Sequence, residues 1–139
     1  MEHHYPVLYQ GGIKHQYWFF SAGKKNIIKC VEFQPLVGPS FNLCLLDYIP
    51  EKNELSDQAI SNNGDVKMVL WTVAYCVEHF LNQYADRVIV FSGHSEGRNN
   101  LYMRYIHRYR SKIFLHYSVK IEVKSEVDLV FYIQKKITL

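Results

Sequence analysis

Cysteine is scarce in this sequence, and its spacing excludes more than its number does. Cys30, Cys44 and Cys76 form an odd, widely separated set with apolar neighbours, so no disulfide framework is implied and the thiols read as small buried hydrophobes kept reduced. Neither Cys-x-x-Cys nor His-x-x-x-His occurs, and His3 and His4 are adjacent and terminal, so no metal site is expected. Long apolar runs are also missing. The longest, such as Tyr17–Phe20 and Val88–Phe91, hold about four residues, where a membrane span needs roughly 20. Met1–Gly12 lacks the basic start and apolar stretch of a signal peptide, which gives the expectation of a cytoplasmic protein. Four prolines, seven glycines and the lack of any low-complexity segment or internal repeat exclude collagen-like, disordered and repeat architectures.

What is there is a chain built to bury a core. Of 139 residues, 48% are hydrophobic, 15% aromatic and 21% charged. That length suits one domain hiding roughly two thirds of its unfolded surface, and is short for two. The net charge of +3 conceals an asymmetry. Residues 1–86 carry six lysines against nine acids, whereas residues 87–139 carry ten basic residues against four acids. All five arginines, Arg87, Arg98, Arg104, Arg108 and Arg110, fall in the second half, and no acid lies between Arg98 and Ile121. A basic face is expected there.

Alternating β-formers predict strands over His15–Ser21, Asn26–Phe33 and Phe41–Ile49, the first two joined by a tight Ala22–Lys25 turn. Residues 1–14 read as a flexible arm or an extra edge strand, and Pro50–Asp57 as a polar loop. From Asp65 to Tyr84 the period changes: Val66, Val69, Leu70, Val73, Val77, Phe80 and Leu81 recur at helical steps behind the capping candidates of Ser61–Asp65. A short strand over Arg87–Ser92, a Gly93–Gly97 loop and a second helix over Glu96–Ser111 follow. Strands over Ile113–Val123 and Asp128–Gln134 close the chain. The expectation is a single α+β domain with a mixed, mostly antiparallel sheet, two helices and the order βββαβαββ. Were the third and fourth strands parallel neighbours, the helix between them would be a crossover. Both helices would then start at one edge of the sheet, with Ser61–Asp65 facing Ser92–Arg98.

Three chemistries compete for these loops. Gly93-His94-Ser95-Glu96-Gly97 after a strand and before a helix matches the G-x-S-x-G pattern that exposes a nucleophilic serine, with His107 or His116 as its base. No histidine follows Asp128, so the usual Ser, Asp, His order fails, and a glycine-rich turn capped by Ser95 or Ser92 is the favoured reading. A small anion could instead be held by the Gly93–Gly97 amides, the Ser95 hydroxyl and Arg98, with Asn62, Asn63 and Asp65 opposite. The Walker spacing is absent, and Arg98 could equally tie to Asp65 or Glu96. Asn-Gly at 63–64 is also a common way to place a left-handed residue before a helix. Thirdly, Arg104, Arg108, Arg110 and Lys112 interleave with Tyr102, Tyr105 and Tyr109, as in single-strand nucleic-acid binders. The tyrosines fall on the apolar stripe, and a pI of about 8.7 is mild for such a protein. A solvated basic face, or one that docks an acidic protein, is preferred. No paired carboxylates for acid–base work are evident.

Ser61-Asn62-Asn63-Gly64-Asp65, Val69-Leu70 with Thr72-Val73, and Phe91-Ser92-Gly93-His94-Ser95 with Arg98, Leu101 and Tyr102 resemble a family of small bacterial proteins of unknown function. The family has about this length, an S-N-N-x-D…V-L-x-T-V helix and an F-x-G-S-x-x-x-R-x-x-L-Y turn and helix. The similarity spans about Tyr17 to Tyr132 and departs at His94, where the family more often has serine. It implies no activity, but directs attention to Asn62, Asn63, Asp65, Ser95 and Arg98. The expected role is that of a protein-interaction or small-anion-binding module, without cofactor and plausibly a homodimer. Nucleic-acid binding and serine-dependent hydrolysis are the alternatives.

Overall fold

Alternation of inward and outward side chains runs through His15–Ala22, where His15, Tyr17, Phe19 and Ser21 are buried and the residues between them are more open. A computed structural model describes residues 3–56, 63–93, 95–125 and 128–136. Its elements are β1 (Leu8–Gln10), β2 (His15–Ala22), β3 (Asn26–Pro35), β4 (Ser40–Ile49), β5 (Glu54–Ser56), α1 (Val66–Gln83), β6 (Val88–Phe91), α2 (Glu96–Arg108), α3 (Arg110–His116), β7 (Tyr117–Val123) and β8 (Leu129–Lys135). The class is α+β, with mostly antiparallel strand pairing. Among the described residues, no helix is long and apolar enough to cross a membrane.

Contacts divide the chain into two compact units, one of Met1–Pro35 with Asn42–Phe80 and one of Leu36–Phe41 with Leu81–Leu139. In the first, strands follow the order β1, β2, β3, β4, and β5 pairs with β4. The β2–β3 hairpin runs in unbroken register from His15 opposite Phe33 to Ala22 opposite Asn26, closed by the turn expected at Ala22–Lys25. One side of α1 presents Val69, Thr72, Cys76, Val77 and Phe80, all buried. Phe80 stacks on Phe33 with ring centres 4.4 Å apart, and Tyr17 meets Phe33 edge-on at 5.8 Å. Tyr5 ties the N-terminal arm to this helix, its N–H donating to Thr72 Oγ1 at 2.9 Å. Lys29 Nζ donates to Asp47 Oδ1 at 2.5 Å in a pair that is almost wholly buried.

In the second unit the order is β6, β8, β7, all antiparallel. Ile89 and Phe131 are fully buried. Phe91 stacks on Phe131 at 4.9 Å, and Tyr102 from α2 sits edge-on to both rings. The strand expected to start at Ile113 begins instead at Tyr117, because the chain makes one more helical segment, α3. Tyr109 accepts from both Lys112 N–H and Ile113 N–H, and these bonds restart the helix after the break at Tyr109. Two short strands, β1 and β5, complete the departures from the expected order. β1 realises the extra edge strand, and β5 lies inside what reads as a polar loop.

Candidate functional site

The turn between β6 and α2 has its polar groups in use. Ser95 has extended backbone angles and is the N-cap of α2, its Oγ accepting from Arg98 N–H at 3.2 Å while its carbonyl accepts from Asn99 N–H at 3.0 Å. Buried Asn99 reaches back, and its Oδ1 accepts from Gly93 N–H at 2.9 Å. A Cβ on Gly93 would stand 2.7 Å from Asn99 Oδ1 and 2.8 Å from Arg98 Cβ, so this glycine is required by the close approach of the helix start. A Cβ on Gly97 would meet nothing within 4 Å. The motif glycines therefore serve packing at one position only. His107 lies three turns further along α2, about 18 Å along the axis, out of reach of the Ser95 hydroxyl. Arg98 is half-buried beside Tyr102, and no carboxylate among the described residues pairs with it. His94 lies outside the described residues.

Ser61 and Asn62 also lie outside the described residues, whereas Asn63 and Asp65 are placed in the first unit. Asn63 is 5% exposed and grips the β2–β3 hairpin. Its Oδ1 accepts from Lys25 N–H at 2.8 Å, and its Nδ2 donates to Ser21 O at 3.2 Å, Ser21 Oγ at 2.9 Å and Lys25 O at 2.8 Å. Its carbonyl takes the Lys24 N–H at 2.8 Å. Gly64 follows in the left-handed region at φ 78°, as the Asn-Gly pair predicts. Asp65 Oδ2 then accepts from Tyr5 Oη at 2.6 Å and Ser21 Oγ at 2.5 Å. Burial, with the hydrogen bond to Asp65, pushes the Tyr5 phenol above its ordinary value.

On the second unit Arg104, Arg108, Arg110 and Lys112 are exposed, the first two as the periodicity of α2 predicts. Arg110 Nη1 donates to His107 O at 2.9 Å, and the Arg108 guanidinium lies 5.8 Å from the Tyr109 ring centre. The tyrosines between them turn inward. Tyr105 and Tyr109 pack on one another at 4.7 Å, and burial raises the pKa of both Tyr102 and Tyr105. Exposed Met103, Phe114, Leu115 and Val123 are interleaved with the cations along the chain instead.

The chain matches the model of a family of unknown function, DUF6934, over residues 1–138. The chain belongs to this family. No curated protein and no solved structure matches it. In this DUF6934 chain, the S-N-N-x-D string thus includes a hairpin clamp at Asn63 and Asp65.

One constellation of the DUF6934 chain escaped the sequence reading. Tyr9 Oη shares a 2.6 Å hydrogen bond with His15 Nδ1, and Tyr17 Oη a 2.7 Å bond with His79 Nδ1. The Tyr9 ring lies 4.8 Å from Tyr17 and 5.6 Å from His79, while His4 stacks on Tyr75 at 4.1 Å. Burial holds the His15 imidazole below its ordinary pKa. Two phenol–imidazole pairs can fix tautomers and ring orientation. No three His, Cys, Asp or Glu residues that could hold a metal gather among the described residues. The available signals are Tyr75 and His79 one helical turn apart on α1, and His15 and Tyr17 two apart on β2. Nothing local in the sequence joins the two.

Proposed function

We propose that this chain is a protein-interaction module that receives an acidic partner on the surface carrying α2, α3 and β7. The observation that carries the reading is the mixture along these elements: exposed Met103, Phe114, Leu115 and Val123 interleaved in the chain with exposed Arg104, Arg108, Arg110, Lys112, Lys120 and Lys124. Apolar side chains beside cations suit a partner with both carboxylates and hydrophobic groups. Nucleic acid is less well served, because Tyr102, Tyr105 and Tyr109 are half-buried and pack on other rings. A small anion held by Arg98 is the second reading, supported by the lack of a paired carboxylate among the described residues.

Fluorescence anisotropy separates the three, using a labelled peptide of alternating Glu and Val, single- and double-stranded DNA, and inorganic phosphate as competitor. The peptide is expected to bind at about 0.05 M salt, and Arg104→Glu/Arg108→Glu to weaken it at least about tenfold. Tighter binding of either DNA, with a steeper salt slope, would refute the reading. Thermal stabilisation by phosphate alone, lost in Arg98→Ala, would favour the small anion.

A further inference from the structure

We infer that the acidic partner is held as an added β-strand along the outer edge of β7, a proposal that rests on the interaction reading above and says how the partner docks. β7 ends the strand order of its unit, and over Ser118–Val123 no strand lies on its outer side among the described residues. Proteins usually blunt such edges with shortness, proline, a bulge or charged side chains, lysine above all. β1 follows that rule, a three-residue strand between Pro6 and the Gly11-Gly12 pair. β7 has none of the first three: it has seven residues, no proline, and a register on β8 that runs without interruption from Tyr117 opposite Lys135 to Val123 opposite Leu129. Its central cation, Lys120, extends over the sheet face, 5.9 Å from the Tyr132 ring centre.

The surroundings of the edge specify the occupant. α3 runs directly into β7 and carries exposed Arg110 and Lys112, and Lys120 and Lys124 follow on and after the strand. Glu122 is the acid in this stretch, and it pairs with Lys124. Exposed apolar groups stand at both ends of the strand, Leu115 at 67% and Val123 at 69% exposure. A strand of about seven residues, some 23 Å long, in which acidic and apolar residues alternate, would match this row in charge and in apolar contact. A second copy pairing antiparallel through the same edge about Lys120 or about Glu122 would set like charges opposite one another, which repulsion opposes.

The test uses the full chain with two labelled nine-residue peptides of alternating Glu and Val, one unmodified and one N-methylated at every second residue. N-methylation removes the donors of an added strand and leaves the charge unchanged. The unmodified peptide is expected to bind at low salt and to slow amide exchange within Ser118–Val123, and the methylated one to bind at least about tenfold more weakly. Lys120→Glu/Lys124→Glu should weaken binding by a similar factor, while Lys52→Glu, in an exposed turn of the other unit, should not. Equal binding of both peptides without protection of β7 would overturn strand addition and leave the interaction reading standing. No binding of either peptide would overturn both. Protection of β7 that rises with protein concentration and needs no peptide would overturn the proposal in favour of self-pairing, and preferential binding of an oligonucleotide would overturn it in favour of nucleic acid.

Discussion

Replacing Asn63 by alanine separates a structural clamp from a ligand-binding asparagine. The side chain makes four hydrogen bonds to the β2–β3 hairpin, and two of them, to Ser21 O and Ser21 Oγ, are buried. Each buried bond is worth about 1 kcal/mol net and leaves a stranded acceptor when cut. The two bonds to Lys25 lie at the exposed turn and are partly replaced by water, so they are discounted to a few tenths of a kcal/mol each. Asn63→Ala is therefore expected to cost about 2.5 kcal/mol, or about 8 °C in Tm for a chain of this size. Asn63→Asp should be at least as damaging, since the new oxygen faces the carbonyls of Ser21 and Lys25 without a proton to give. Thermal unfolding followed by circular dichroism reads both. A Tm for Asn63→Ala within about 2 °C of wild type would refute the clamp.

Breaking the buried Lys29–Asp47 pair with Asp47→Ala should cost about 3–5 kcal/mol in urea unfolding, and Lys29→Met/Asp47→Leu should recover most of it; a neutral single substitution would contradict the burial. Because burial holds the His15 pKa below its unfolded value, its contribution to stability is complete above about pH 6.5 and is lost as pH falls through the folded value. Tm measured from pH 8 downward should show that loss, and His15→Gln should reduce it. Burial pushes Glu32 up, but hydrogen bonds from Gln34 and Gln16 and the charge of Lys14 outweigh it, so its pKa is lowered. A further loss of stability is expected as pH falls from about 4.5 through its folded value. Burial pushes the Cys30 thiol to about 12 and Cys76 higher still, whereas Cys44 is half-buried. Thiol titration of the native protein should modify Cys44 first and leave the other two until unfolding; equal rates would refute this.

Much of the fold was legible because it is written in local periods. The twofold alternation of His15–Ala22 and the three- and four-residue steps from Val66 to Leu81 put apolar groups on one side of an element whatever lies opposite. The exposed cations of α2 and the inward turn of its tyrosines were legible for the same reason. Where the period was ambiguous, the reading failed. Ile113, Phe114 and Leu115 have the composition of a strand, yet Tyr109 accepts two helical hydrogen bonds and the segment stays helical until His116. Polar Glu54–Ser56 becomes a strand because Asp47–Ile49 lies alongside to accept it.

The chemistry of single side chains was decided by tertiary structure. Asn63 looks alike as a ligand or as a clamp until Ser21, some forty residues earlier, is set against it. Ser95 reads from the sequence as a helix cap, with a nucleophile as the alternative, and the folded chain sets Arg98 N–H on its hydroxyl and His107 three turns away. The meeting of Tyr9 with His15 and of Tyr17 with His79 depends on β1, β2 and α1 folding onto one core. Periodicity records which side of an element faces inward, because that choice is made residue by residue along the chain. It cannot record which distant donor meets which acceptor, because that is set only when the elements pack.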